Sequence, residues 1–137
     1  MTVFVCVDDH NGMLFNHRRQ SRDEAVLKDM LDAAGTDIWM NGYSSKLFRK
    51  APDRVVIEEG FLSLAPGDGY CFVENVPLGP CEDRLETLVV YCWNRSYPAD
   101  TCLDIDLSRD WELTDTKEFG GTSHEKITRK TYERKKR

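Results

Sequence analysis

The segment Thr2-Val3-Phe4-Val5-Cys6-Val7 limits most strongly how this chain can fold. It is an unbroken apolar run, rich in β-branched residues, with no polar alternation. A strand with one wet face alternates apolar and polar side chains, so a continuous run reads as a strand covered on both faces. Such a strand belongs in the middle of a sheet that carries layers on both sides. Asp8-Asp9-His10-Asn11-Gly12 stops it with turn-forming residues.

The remaining pattern extends this sheet. Met13 to Gln20 reads as a loop carrying His17, Arg18 and Arg19. Ser21 is a good helix N-cap, and Glu24 three residues on completes a capping box. The helix continues through Val26, Leu27, Met30, Leu31 and Ala34 at helical spacing, and Gly35 is its expected stop. Short strands are expected at 37–41, 55–57 and 70–73, with the apolar Val55-Val56-Ile57 read as buried. Turns or single helical turns fit 45–48, 51–54, 61–65 and 82–86. A further strand is expected at 88–93, and two last ones near 111–113 and 127–132. Strands alternating with helices and then strands alone give an α/β class. The expectation is a single mixed, mostly parallel sheet flanked by short helices, with an antiparallel C-terminal edge.

A chain of 137 residues is expected to be one domain, residues 1–137. No apolar run is long enough to cross a membrane, and the first residues lack the basic region of a signal peptide. The five cysteines, Cys6, Cys71, Cys81, Cys92 and Cys102, form no Cys-x-x-Cys pair. They read as free thiols of a cytoplasmic protein. His10, His17 and His124 are scattered, so no metal site is expected. Net charge is −5, but residues 124–137 carry +5, which leaves −10 on the rest. An acidic body argues against nucleic acid as the main partner. The basic end reads as a solvated last strand, with an RNA contact as the weakest of three functional readings. Ser123-His124 has no nucleophile elbow around it, so a hydrolase has little support.

Several stretches, in order, resemble dihydrofolate reductases. Val5-Cys6-Val7-Asp8 is similar to that family's first strand, Gly12-Met13 to the start of its substrate-covering loop, and the helix at Ser21 to its first helix. Ile38-Trp39-Met40-Asn41-Gly42-Tyr43-Ser44 resembles the strand followed by Gly-Arg-x-Thr, and Ala51-Pro52-Asp53-Arg54 the Leu-Pro-Gly-Arg turn. Val89 to Cys92, Asp100-Thr101, Trp111 and Thr131 to Arg134 complete the series. About one strand is missing between Ile57 and Tyr70.

The resemblance implies a dihydrofolate-reductase-like fold, NADPH as cofactor and a pterin-like or related heterocycle as ligand. It places Asp23 as the substrate carboxylate, with Phe4, Leu27 and Tyr91 around the substrate. Gly42, Ser44, Arg18 and Arg19 would meet the cofactor. Independently of family, burial beside an apolar stripe would raise the pKa of Asp23, while the helix start would lower it. His17, Arg18, Arg19 and Arg22 lie near that helix start and could form an anion cradle. The chain also departs from the pattern. Tyr43 replaces the phosphate-pairing arginine, and Glu74-Asn75 replaces paired glycines, where a glutamate would repel a pyrophosphate. The two leading readings are therefore a nicotinamide-dependent reductase and a non-catalytic ligand-binding or regulatory protein that has lost the dinucleotide site.

Overall fold

The computed structural model describes residues 1–136; Arg137, the last of the basic run, lies outside the described residues. The strands are β1 (Thr2–Val7), β2 (Gly12–Phe15), β3 (Arg18–Arg19), β4 (Ile38–Met40), β5 (Val55–Ile57), β6 (Tyr70–Phe72), β7 (Thr87–Cys92), β8 (Thr101–Cys102), β9 (Trp111–Phe119) and β10 (Ile127–Arg134). The helices are α1 (Glu24–Ala33), α2 (Gly42–Ser45) and α3 (Phe61–Leu64), with 3-10 turns at Lys46–Phe48, Pro52–Arg54 and Gly79–Arg84.

Seven strands form one sheet in the order β5-β4-β6-β1-β7-β10-β9. The first five are parallel to their neighbours, and β10 and β9 are antiparallel. The apolar β1 is the centre, flanked by β6 and β7. Its side chains alternate between two cores. Val3, Val5 and Val7 face one with Phe61, Leu88 and Trp111. Phe4 faces the other with Val26, Leu27 and Met30 of α1. This double burial is what the unbroken run required.

Several local expectations are corrected. Residues 13–20 are not a loop: β2 and β3 form a hairpin, and β8 joins it to make a second, three-stranded sheet. Asn16 and His17, at φ 51° and 61°, make its two-residue turn. The cap of α1 is Asp23, not Ser21, and the helix ends at an extended Ala34 without a left-handed Gly35. β5 is an edge strand, and its Ile57 is 58% exposed. The last two strands run longer than the apolar pattern indicated. All five cysteines are free thiols. Among the described residues, no helix is long and apolar enough to cross a membrane, and no cluster of His, Cys, Asp or Glu could hold a metal ion.

α1 is fastened to the antiparallel side through Asp29. Arg129 of β10 donates from Nη1 to both its oxygens, at 3.0 and 2.8 Å, and the Tyr91 hydroxyl donates at 2.7 Å. Burial, and then the Asp29 acceptor, raise the pKa of Tyr91. Asp29→Ala leaves a mostly buried guanidinium with only its 3.7 Å contact to Asp115 and strands a buried phenol, so it should destabilise the fold by about 3 kcal/mol. Lys28→Ala, which breaks only the exposed Lys28–Asp32 pair at 3.5 Å, should cost under about 0.5 kcal/mol. Urea unfolding of the two variants checks this; equal midpoints would remove Asp29 as a fastening.

Candidate functional site

Ligands of open parallel sheets collect beyond the carboxyl ends of the strands. Here Asp8 follows β1, Asn41 follows β4, Glu74 lies beyond β6 and Trp93 follows β7. A hollow opens at this end, between α1 and the sheet. Cys6, Phe72, Leu27 and Trp93 form its walls, and Arg19, Gln20, Asp23 and Glu74 its polar rim. Its total empty space, mouth included, is about 400 Å³, but only about 20 Å³ is open to the centre of a water molecule. That is room for about one water.

The hollow brings together some of the predicted residues. Asp23, Leu27 and Arg19 line it. Phe4 and Tyr91 do not: they stack on each other at 6.4 Å in the core under α1. Arg18 points to solvent on β3, as does His17 at the hairpin turn. Arg22 pairs with Glu24 at 3.3 Å in solvent. Arg19 and Arg22 both line the hollow, but each is taken by a glutamate, and the four-cation cradle does not converge. Gly42 and Ser44 lie at the start of α2, with Asn41 as the cap.

Asp23 is 2% exposed and its carboxylate is fully engaged. Oδ1 accepts from the N–H groups of Ala25 and Val26 at 2.9 and 3.2 Å, which caps α1. Oδ2 accepts from the N–H and the hydroxyl of Ser123, at 2.8 and 2.7 Å. Burial alone would raise its pKa, but these donors outweigh it and bring the value down to about 2. Ser123 belongs to the β9–β10 turn. The turn comes this close because of Gly121, where a Cβ would collide with Asp23 Oδ2 and the His124 carbonyl.

The contact continues outward. Ser123 Oγ lies 2.6 Å from His124 Nδ1, and His124 Nε2 lies 2.6 Å from the Tyr97 hydroxyl. The His124 ring stacks on Trp93 at 5.0 Å. Burial, then nearby Arg95, lowers the pKa of His124. A neutral ring with its proton on Nδ1 satisfies every member: Tyr97 donates to Nε2, Nδ1–H donates to Ser123, and Ser123 donates to Asp23. The hydroxyl proton is thus held by Asp23 and not by an imidazole base, so Ser123 is not an activated nucleophile. Residues 102 positions apart in sequence meet here, as at Ser21 and Ser123, and no local pattern announces it.

Glu74, Glu59 and Asp104 also lie at this end of the sheet. Glu74, 8% exposed, takes Arg19 in a two-pronged contact at 2.8 and 3.0 Å and the Ser44 hydroxyl at 2.8 Å. The Arg19 guanidinium also lies 4.4 Å above the Tyr43 ring. Glu59 accepts from the Gly42 N–H at 2.8 Å. Asp104 accepts from the N–H groups of Leu78 and Gly79, at 2.9 and 2.8 Å, where the 3-10 turn after β6 begins.

The segment over the hollow is pinned as well. Asp8 accepts from the N–H groups of His10, Gly12 and Tyr97 and from the Gln20 amide, at 2.9, 2.7, 3.2 and 2.9 Å. Burial would raise its pKa; the donors reverse that and lower it. Asp100 accepts from the Asn16 N–H at 3.1 Å and so holds the hairpin tip.

No protein-family model and no curated protein matches the sequence. Among solved structures, the chain is similar to a dihydrofolate reductase from Enterococcus faecalis complexed with NADP(H) and RAB-propyl. The TM-score is 0.70 at 12% identity, over 98% of this chain and 96% of that one. The fold is therefore dihydrofolate-reductase-like, as the ordered motifs implied.

The depressed pKa of Asp23 has a thermodynamic consequence. Its stabilisation is present above the ordinary carboxylate value of 3.8 and is lost as pH falls towards about 2. Asp23→Ala should cost about 1–2 kcal/mol at neutral pH and flatten the pH dependence of stability in that acidic window. Urea midpoints at several acidic pH values measure both effects. An unchanged slope would show that the carboxylate does not hold the turn.

Proposed function

We propose that this chain is a non-catalytic binding protein on a dihydrofolate-reductase-like scaffold, in which its own carboxylates fill the place of the dinucleotide. The observation that carries this reading is Glu74, held by Arg19 and by the hydroxyl of Ser44. The resemblance offered Arg19, Ser44 and Gly42 as cofactor contacts. Each now serves a glutamate: Arg19 and Ser44 serve Glu74, and the Gly42 N–H serves Glu59.

The cofactor of the Enterococcus faecalis neighbour is polyanionic. To bind here, its phosphates would need donors already committed, and they would approach Glu59, Glu74 and Asp104. In a partly buried setting, like charges a few ångströms apart cost several kcal/mol. Three carboxylates of this chain, Glu59, Glu74 and Asp104, occupy positions where a backbone or hydroxyl donor would otherwise face an anion. The residues present do not fit NADPH.

The substrate side points the same way. Asp23 has four protein donors, so it lacks the free lone pairs needed to grip an amidine-like edge. With a pKa near 2 it is also a poor proton source at neutral pH. Binding capacity remains in the hollow. Gln20, which lines it, has a buried Oε1 without a partner, and its Nε2 is fixed by Asp8. As it stands the hollow holds about one water, so a ligand enters only by displacing the covering hairpin; the class it would then fit is a compact, flat molecule with an N–H donor for Gln20 and an apolar face for Leu27, Phe72 and Trp93.

Thermal denaturation with and without excess NADPH tests the reading. A ligand at 100 times its Kd stabilises by about 2.7 kcal/mol, so true binding is easily seen. No shift is expected, and no oxidation of NADPH in the presence of dihydrofolate. A saturable shift with turnover would replace this proposal with the reductase reading.

A further inference from the structure

β9 is one margin of the seven-stranded sheet, and its inner side pairs with β10. No other backbone group among the described residues bonds to residues 112–119. Every side chain from Glu112 to Glu118 is exposed. An edge of this length offers a row of open N–H and C=O groups, and proteins usually blunt such edges with lysine, proline or a bulge. β9 has no proline, one lysine at Lys117, and one bulge, at Thr114, which has no partner in β10.

We propose that a second copy of this chain adds to this edge, with β9 antiparallel to β9 about a two-fold axis through Thr116. Residues directly opposite in a sheet share a face, and a two-fold axis normal to the sheet preserves the faces. The axis must then pass through a residue, not between two. Centring on Asp115 sets aspartate against aspartate and Glu112 against Glu118. Centring on Lys117 sets lysine against lysine. Centring on Thr114 falls on the bulge. Centring on Thr116 sets threonine against threonine and places Asp115 opposite Lys117 of the other copy, twice.

The same lysine that would repel a random strand is therefore matched in this register. Cross-strand threonine pairs and opposite charges are favourable neighbours, and like charges directly opposite are not. Glu118 adds little repulsion, because Lys126 of its own chain holds it at 3.0 Å; Asp115 has only a looser 3.7 Å contact with Arg129, which is bound chiefly by Asp29 at 2.8 Å, and stays open to Lys117. Leu113, 48% exposed, lies three residues from the axis and would lose solvent on pairing.

Sedimentation equilibrium of the full chain over a wide concentration range tests the proposal. The expected result is a monomer–dimer equilibrium. Lys117→Asp and Asp115→Lys each put like charges at both crossings and should each weaken the dimer at least about tenfold. The double reversal Asp115→Lys/Lys117→Asp should restore it. Thr116→Lys, at a position exposed in the monomer, puts two ammonium groups on the axis and should dissociate the dimer with no change in circular dichroism. A monomer at every concentration overturns the proposal. So does a dimer indifferent to the single reversals, or a double variant as weak as either single one.

Discussion

The Asp23 carboxylate joins the two halves of this molecule. One oxygen closes the start of α1, which lies over the parallel strands. The other holds the turn between the antiparallel strands β9 and β10. Charge-assisted hydrogen bonds of this kind are about twice as strong as neutral ones, and four of them converge on a group almost without solvent. Gly121 exists at that point because no side chain fits between the turn and the acid. An acid so completely engaged is a structural member. It has nothing left over for a ligand unless the turn moves away.

The same arrangement recurs at two places beyond the strand ends. Beside α1 a turn of the chain occupies the acid. At α2 and after β6 acids of the chain occupy the donors. The donor geometry of the scaffold survives in each case, because helix starts and strand ends expose N–H groups wherever they occur. Such groups must be met by something when buried. In a dinucleotide-binding protein a phosphate can meet them. Here Glu59, Glu74 and Asp104 do. A fold can thus persist with its sites answered from within, which is why fold does not fix function.

The architecture was legible where side-chain pattern alone determines it. The unbroken β1 run located the centre of the sheet, and the late strands without helices located the antiparallel margin. The helix 24–33 was legible too, but its cap was not. Ser21 and Asp23 can both cap. The choice fell to Asp23 because Ser123, a hundred positions away, supplies two more donors. The hairpin at 12–19 was missed because its turn uses Asn16-His17, and histidine at positive φ carries no strong turn signal. Arg19 read as a contact to the cofactor, and the anion it meets is Glu74 from a distant strand end. Phe4 and Tyr91, expected around the substrate, lie deeper along the strands and stack in the core under α1. Apart from the local Asn16-His17 turn, the misses concern contacts between segments remote in sequence, whose partners no local pattern names.

Rigidity follows from the same contacts. A segment that opens and closes over a site during turnover is drawn from the least stable part of a fold. The segment over this hollow is instead a hairpin extended by β8, fixed at its base by Asp8 and at its tip by Asp100. Arg19 on its second strand is locked onto Glu74 and Tyr43. Opening it means breaking a partly buried ion pair, a cation–π contact and several backbone bonds together. Each is modest alone, but they share one short element and must yield as a unit. A cover held this firmly suits a protein that keeps its hollow closed, or admits a compact ligand slowly. It does not suit rapid exchange of a large cofactor.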